Sequence, residues 1–173
     1  MRRPAKCAPA AAEQHALTRG FSMLELVMVI AVIAIIASLA IPSQIGAVTQ
    51  KRIIESLELL EPYKPQIEAY YFSHGGSFPK DNAEASLPEP DKLIGKYIRK
   101  VDLRDGVMHM YLGRDMPEAL HNKIISIRPI FVKDSPQSPV SWVCGYDAIP
   151  DGLTGAGKNL TDIEKAHLPG RCR

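Results

Sequence analysis

The sequence predicts an α+β fold, one long N-terminal α-helix packed on a small four-stranded antiparallel sheet. Three observations carry that reading. Residues 21–41 are almost wholly apolar, and the pattern then takes a helical period to about residue 72. Four short β-prone runs follow, two of them joined by Asp105-Gly106, a dipeptide that tolerates the positive φ of a tight hairpin. The end of the chain, with Gly152, Gly155, Gly157 and Gly170, is loop-rich. Runs of helix followed by runs of strand make α+β architecture the economical arrangement.

The first half of the helix is membrane-grade. From Leu26 to Ile41 only Ser38 is polar, and residues 21–41 number about 21, enough to cross a ~30 Å hydrocarbon core. Glu25 lies just inside this segment, where an ionised carboxylate costs roughly 2.5–3.5 kcal/mol and is by default a functional group. No cation lies within the run. Cleavage after Gly20 would create one, because the new α-amino group of Phe21 is positive at neutral pH. The amine of a neighbouring copy beside Glu25 would pair the buried charge and set the stagger between subunits.

Pro42 removes a backbone donor and clashes one turn back, which predicts a kink there. Beyond it Ile45, Val48, Ile53, Ile54, Leu57, Leu60 and Ile67 form the predicted docking stripe, with Lys51, Arg52, Glu55, Glu58 and Glu61 facing out. Pro62 and Pro65 predict a bend, or a break with Pro62 opening a new turn. Residues 73–76 end the helix and Pro79 bars its resumption; 80–91 read as loop. The strand runs are 97–103, 107–112, 122–132 and 140–146, with Pro129 marking an edge or strand end in the third.

The order Gly20, Phe21, Glu25, apolar run and Pro42 resembles the type IV prepilins, in which a dedicated peptidase cuts after a Gly, methylates the new N-terminal Phe and leaves a Glu at the fifth mature position. Further pieces follow in the family's order: Tyr70-Tyr71 at the helix end, Gly75-Gly76-Ser77-Phe78-Pro79, Gly95-Lys96-Tyr97-Ile98 entering the first strand, Pro139-Val140-Ser141-Trp142-Val143-Cys144, and Leu168-Pro169-Gly170-Arg171-Cys172. The resemblance implies the pilin fold and a domain plan. Residues 1–20 would be a cleaved leader, 21–42 the transmembrane and fibre-core half-helix, and 43–173 a periplasmic head with a closed C-terminal region, 144–172. It implies processing at Gly20 and Phe21, N-methylation of Phe21, assembly through Glu25, and a helix kink at Pro42. The implied partners are other pilin subunits in a homo-oligomeric fibre, a prepilin peptidase, an inner-membrane assembly platform, and the membrane before assembly. Localisation follows as inner membrane for the precursor and then the cell surface. The implied function is structural: a type IV pilus subunit serving adhesion, twitching motility or DNA uptake. A minor pilin acting as DNA receptor and a pseudopilin of a type II secretion system are the alternatives; the cleavage motif fits a pseudopilin too. An ordinary secretory signal peptide cut after Ser38-Leu39-Ala40 is a further rival, opposed by Glu25 inside its apolar region.

Charge supports export with the leader held inside. Arg2, Arg3, Lys6 and Arg19 face Glu13 alone in the first 20 residues. Of 21 basic and 19 acidic residues, 4 and 1 lie there, leaving 17 against 18. A near-neutral mature chain has no global field for nucleic acid. Cys7 leaves with the leader, so Cys144 and Cys172 remain and would pair in an oxidising periplasm, closing a loop whose constraint contributes on the order of 3–4 kcal/mol.

No enzyme, metal or cofactor signature is present. His74, His109, His121 and His167 are scattered, and only His167 lies near the cysteines. Asn159-Leu160-Thr161 is formally a glycosylation sequon, a pattern short enough to match by chance. Trp142 alternates with Val140 and Cys144, which favours packing on the helix over a binding role. Lys92, Lys96, Arg99, Lys100 and Arg104 could line DNA phosphates, but interleaved Asp91, Asp102 and Asp105 favour a solvated strand edge.

Overall fold

A computed structural model describes residues 20–173, with backbone alone at 39–45. Residues 1–19, which include Cys7 and the basic residues of the expected leader, lie outside the described residues. Contacts divide the chain between Ala40 and Ile41.

α1 is Met23–Leu60, with the helix running on past Pro42. In the N-terminal unit its residues to Ser38 are exposed on every side. Ser38, the polar residue of that run, donates its hydroxyl to Ile35 O at 2.7 Å, so its one donor is satisfied by the helix itself. Among the described residues no helix is long and apolar enough to cross a membrane; the side chains of 39–45, which prolong the apolar run in sequence, are not among them.

In the second unit the helix is broken, as Pro62 and Pro65 foretell. α1 stops at Leu60, a 3₁₀ turn occupies Glu61–Tyr63, and α2 runs Lys64–Ser73. Each proline sits in the first turn of its element, where a missing N–H costs nothing. The docking stripe differs from the prediction. Ile53, Leu57, Leu60 and Ile67 are buried, but Val48 and Ile54 are exposed, and Thr49 and Ser56 are buried instead; the Ile45 side chain lies outside those described. Positions 49, 53, 56, 57 and 60 fall on one face of a 3.6-residue helix, so geometry selects them over the more apolar Val48 and Ile54. Ser56 is accommodated because its hydroxyl donates to Arg52 O at 2.8 Å.

The sheet is an antiparallel meander of β1 Ile98–Arg104, β2 Val107–Leu112, β3 Ile124–Phe131 and β4 Ser141–Cys144, in that order. A two-residue β5, Thr154–Gly155, pairs with β3 and makes the predicted four strands five. A two-residue strand carries no alternation by which the sequence could mark it. Val101, Leu103, Met108, Met110, Leu112, Ile125 and Ile127 on the sheet join Ile53, Leu57, Leu60 and Ile67 in the core. Each such side chain contributes about 1.5–3 kcal/mol on burial. Asp105 and Gly106 have φ 49° and 79°, the paired positive values of a two-residue hairpin turn. A Cβ on Gly106 would fall 2.7 Å from Phe78, and its N–H donates to Pro79 O at 2.8 Å, so the 75–79 loop is seated on that hairpin.

Pro129 lies beyond the last β2 register pair, Met108↔Ile127, where no β2 carbonyl needs its missing N–H. The outer edge of β1 keeps its charged side chains Arg99 and Arg104 exposed, but part of its backbone is capped. Asn82 covers it, accepting from Leu103 N at 2.7 Å and donating to Val101 O at 3.2 Å and Pro88 O at 2.8 Å.

Candidate assembly site and C-terminal cross-link

The helix start is built by Ser22. Its hydroxyl accepts from Leu24 N at 3.3 Å, and its carbonyl accepts from Leu26 N at 3.1 Å. Glu25 is therefore the third residue of the helix, in its first turn, where a carboxylate also complements the helix dipole. The Ser22-x-x-Glu25 spacing is the sequence signature of a capping box. Gly20 and Phe21 precede the helix and are exposed, and a Cβ on Gly20 would meet nothing within 4 Å. No intramolecular packing demands a glycine there.

At the other end of the chain Cys144 and Cys172 are bonded, with Cα atoms 4.6 Å apart, and both are buried in the core. The loop-rich segment between them is nevertheless packed. Ala156, Ile163 and Leu168 are buried, and 160–162 continue the edge of β3 that β4 leaves at Cys144. There Ser126 N donates to Thr161 Oγ1 at 3.0 Å, and Asp162 N to Ile124 O at 3.2 Å. Asn159, of the sequon, already donates to Gly145 O at 2.7 Å.

Trp142 packs on the core and donates Nε1–H to Glu68 Oε1 of α2 at 2.7 Å, the helix-packing role expected of it. The basic cluster is dispersed among intramolecular partners. Lys92 pairs with Glu89 at 3.0 Å and Arg104 with Asp102 at 2.6 Å; Arg99 donates to Asn122 Oδ1, and Lys96 and Lys100 lie over Tyr97 and Tyr111.

Asp102, His109 and Ser126 stand in one cross-strand row, a juxtaposition invisible without the register. His109 Nδ1 lies 3.0 Å from Ser126 Oγ, the pair that general-base activation of a hydroxyl would need. Ser126 is fully buried, however, and its Oγ accepts from Leu160 N at 2.8 Å. The row is a structural bond beneath the C-terminal segment with no path for substrate. Burial lowers the His109 pKa from 6.5, the Arg104 charge lowers it further, and Asp102 opposes both. Among the described residues no group of three or more His, Cys, Asp or Glu could hold a metal.

Residues 52–173 match the Pilin family, described as pilin of bacterial filaments. The chain belongs to the type IV pilins. It is 30% identical over 167 residues to the type IV major pilin protein PilE1 of Neisseria gonorrhoeae, covering 92% of this chain and 89% of that protein. It is 35% identical to the fimbrial protein EcpC of Eikenella corrodens over 82% of this chain and 91% of that one. A fimbrial protein of Neisseria meningitidis serogroup B is 26% identical, with 92% and 96% covered. These relatives are fimbrial and major pilin proteins, which leaves the minor-pilin and pseudopilin alternatives unfavoured. In this pilin the helix, the meander and the buried cross-link together form the family's α+β fold.

Proposed function

We propose that this chain is a structural, non-enzymatic subunit of an extracellular type IV pilus, made as a precursor and assembled through the helix that begins at Met23. The observation that carries this is the exposed apolar surface of residues 21–38. Phe21, Met23, Ile30 and Ile35 are 76%, 83%, 55% and 63% exposed. A continuous apolar surface of this extent requires lipid or other chains of the same character. Both occupants serve in turn on this reading. The inner membrane receives the segment 21–42 first, with the basic leader cytoplasmic and the head 43–173 periplasmic.

A prepilin peptidase then cuts Gly20–Phe21 and methylates Phe21, a reading supported by the open, non-helical setting of that bond. An inner-membrane platform next moves subunits into a bundle of such helices, Pro42 marking where the helix bends. Moving from lipid to equally apolar neighbours changes the buried area little, so the pairing of Glu25 with the next subunit's amine supplies register more than affinity. N-terminal sequencing and mass analysis of sheared fibres test the scheme. Fibre protein should begin at methylated Phe21; a start at Ile41 would identify an ordinary signal peptide and end the pilin-processing reading.

A further inference from the structure

We propose that the cleft between the entry of β1 and the β2–β3 connection binds a phosphomonoester carried on a small polyol, such as a sugar phosphate. The cleft holds about 480 Å³, within the range of small-ligand sites. Glycine permits it. Gly113 donates to Tyr97 O at 2.7 Å, and a Cβ there would lie 3.3 Å from the Tyr97 carbonyl carbon, tighter than side chains ordinarily tolerate. Three cations line the cleft, Lys96, Arg99 and Arg114, against the single carboxylate Asp115.

Among the described residues Arg99 and Arg114 are paired with no carboxylate, whereas Lys96 feels Glu55 and Asp115. Arg99 is held by the neutral Asn122 amide and Lys96 by the Tyr97 ring, while the exposed Arg114 side chain has no partner among the described residues. The Arg114 backbone is fixed all the same, because His121 Nε2–H donates to Arg114 O at 3.0 Å and to Met116 O at 2.8 Å. The two guanidinium forks, neither taken by a carboxylate, match the two charges of a phosphate dianion. A bare phosphate would leave much of the volume empty. Asp115 and the Asn122 side-chain amide are suited to the hydroxyls of the attached polyol.

The test is isothermal titration of the full-length protein in non-ionic detergent with glucose 6-phosphate, glucose, inorganic phosphate and a short DNA duplex. Glucose 6-phosphate should bind saturably and more tightly than inorganic phosphate, with glucose and DNA weaker than either. Arg114→Gln removes no intramolecular bond and so preserves the fold, yet should weaken glucose 6-phosphate at least about tenfold, the scale of one charge-assisted contact. Lys133→Gln, an exposed charge elsewhere, should leave binding unchanged. Absence of saturable binding, or equal binding by the Arg114 variant, would overturn the proposal. Inorganic phosphate matching glucose 6-phosphate would overturn the polyol component, and tighter, salt-sensitive DNA binding would replace it with a nucleic-acid surface. None of these outcomes touches fibre assembly, which is read separately from sheared fibres.

Discussion

Trp142 donates its indole N–H to the carboxylate of Glu68, 74 residues earlier, across 2.7 Å. This bond ties β4 to α2, the helix that the break at Pro62 sets apart from α1. Lys64 lies 5.6 Å from the same ring and favours the indole's face. Trp142→Phe should keep most of the packing and lose the bond, lowering stability by about 1–2 kcal/mol in urea unfolding. Glu68→Gln, which retains an acceptor, should cost less than Glu68→Ala. Equal costs would mean the contact is packing alone.

Asn82 makes three bonds to the edge of β1 and the loop beside it, from a nearly fully buried position. Asn82→Ala leaves Leu103 N–H buried without its partner and should destabilise by about 1–3 kcal/mol or more. Asn82→Asp keeps the acceptor for Leu103 but loses both donated bonds and buries a charge, so it should be no better. Amide exchange at Leu103 should accelerate in both variants.

Reducing the Cys144–Cys172 bond, or replacing Cys172 with Ser, should lower stability by about 2–5 kcal/mol, the range for native bridges of small secreted domains. Because Ile163 and Leu168 are buried, 160–168 should remain partly protected from exchange after reduction. Complete loss of protection there would show that the cross-link alone holds the segment. Mass analysis of the mature protein without reductant should find no free thiol.

His109 should make the head acid-sensitive. Its folded pKa is depressed, so below 6.5 the unfolded chain takes up a proton that the folded chain resists. Stability is therefore full above 6.5 and falls as pH drops through the lower folded value. The Ser126 hydroxyl, accepting from Leu160 N–H, can donate its hydrogen to neutral Nδ1; a protonated ring forfeits that bond. His109→Gln should flatten stability between pH 7 and 5 relative to the parent in paired denaturation curves. An unchanged slope would place the acid sensitivity elsewhere.

Glu25 should govern assembly and leave the head alone. Glu25→Ala removes the acid that is costly in a membrane, so insertion should become easier. It should also strand a neighbour's amine among apolar helices, at a cost of several kcal/mol. Cells making only this variant should accumulate processed subunit in the inner membrane and shed few fibres, while the urea midpoint of the head stays unchanged. A normal fibre yield would remove Glu25 from the register mechanism and leave it a helix-start residue beside Ser22.

The sequence by itself determined the α+β class, the break at Pro62 and Pro65, the Asp105-Gly106 hairpin and the long strands, because each depends on local chemistry. Proline lacks a donor, Asp-Gly accepts positive φ, and apolar periodicity marks a buried face. The cysteine pair was legible by elimination once Cys7 was assigned to the leader. Tertiary structure alone decided the rest. The buried helix face runs through Thr49 and Ser56 because the docking direction is set by the sheet, which no helical period encodes. β5, the Asn82 cover on β1, the Asp102–His109–Ser126 row and the cationic cleft each join residues distant in the chain. Such contacts form only when register and loop closure bring the groups together, and a one-residue slip of β2 would turn His109 to the other face and dissolve the row.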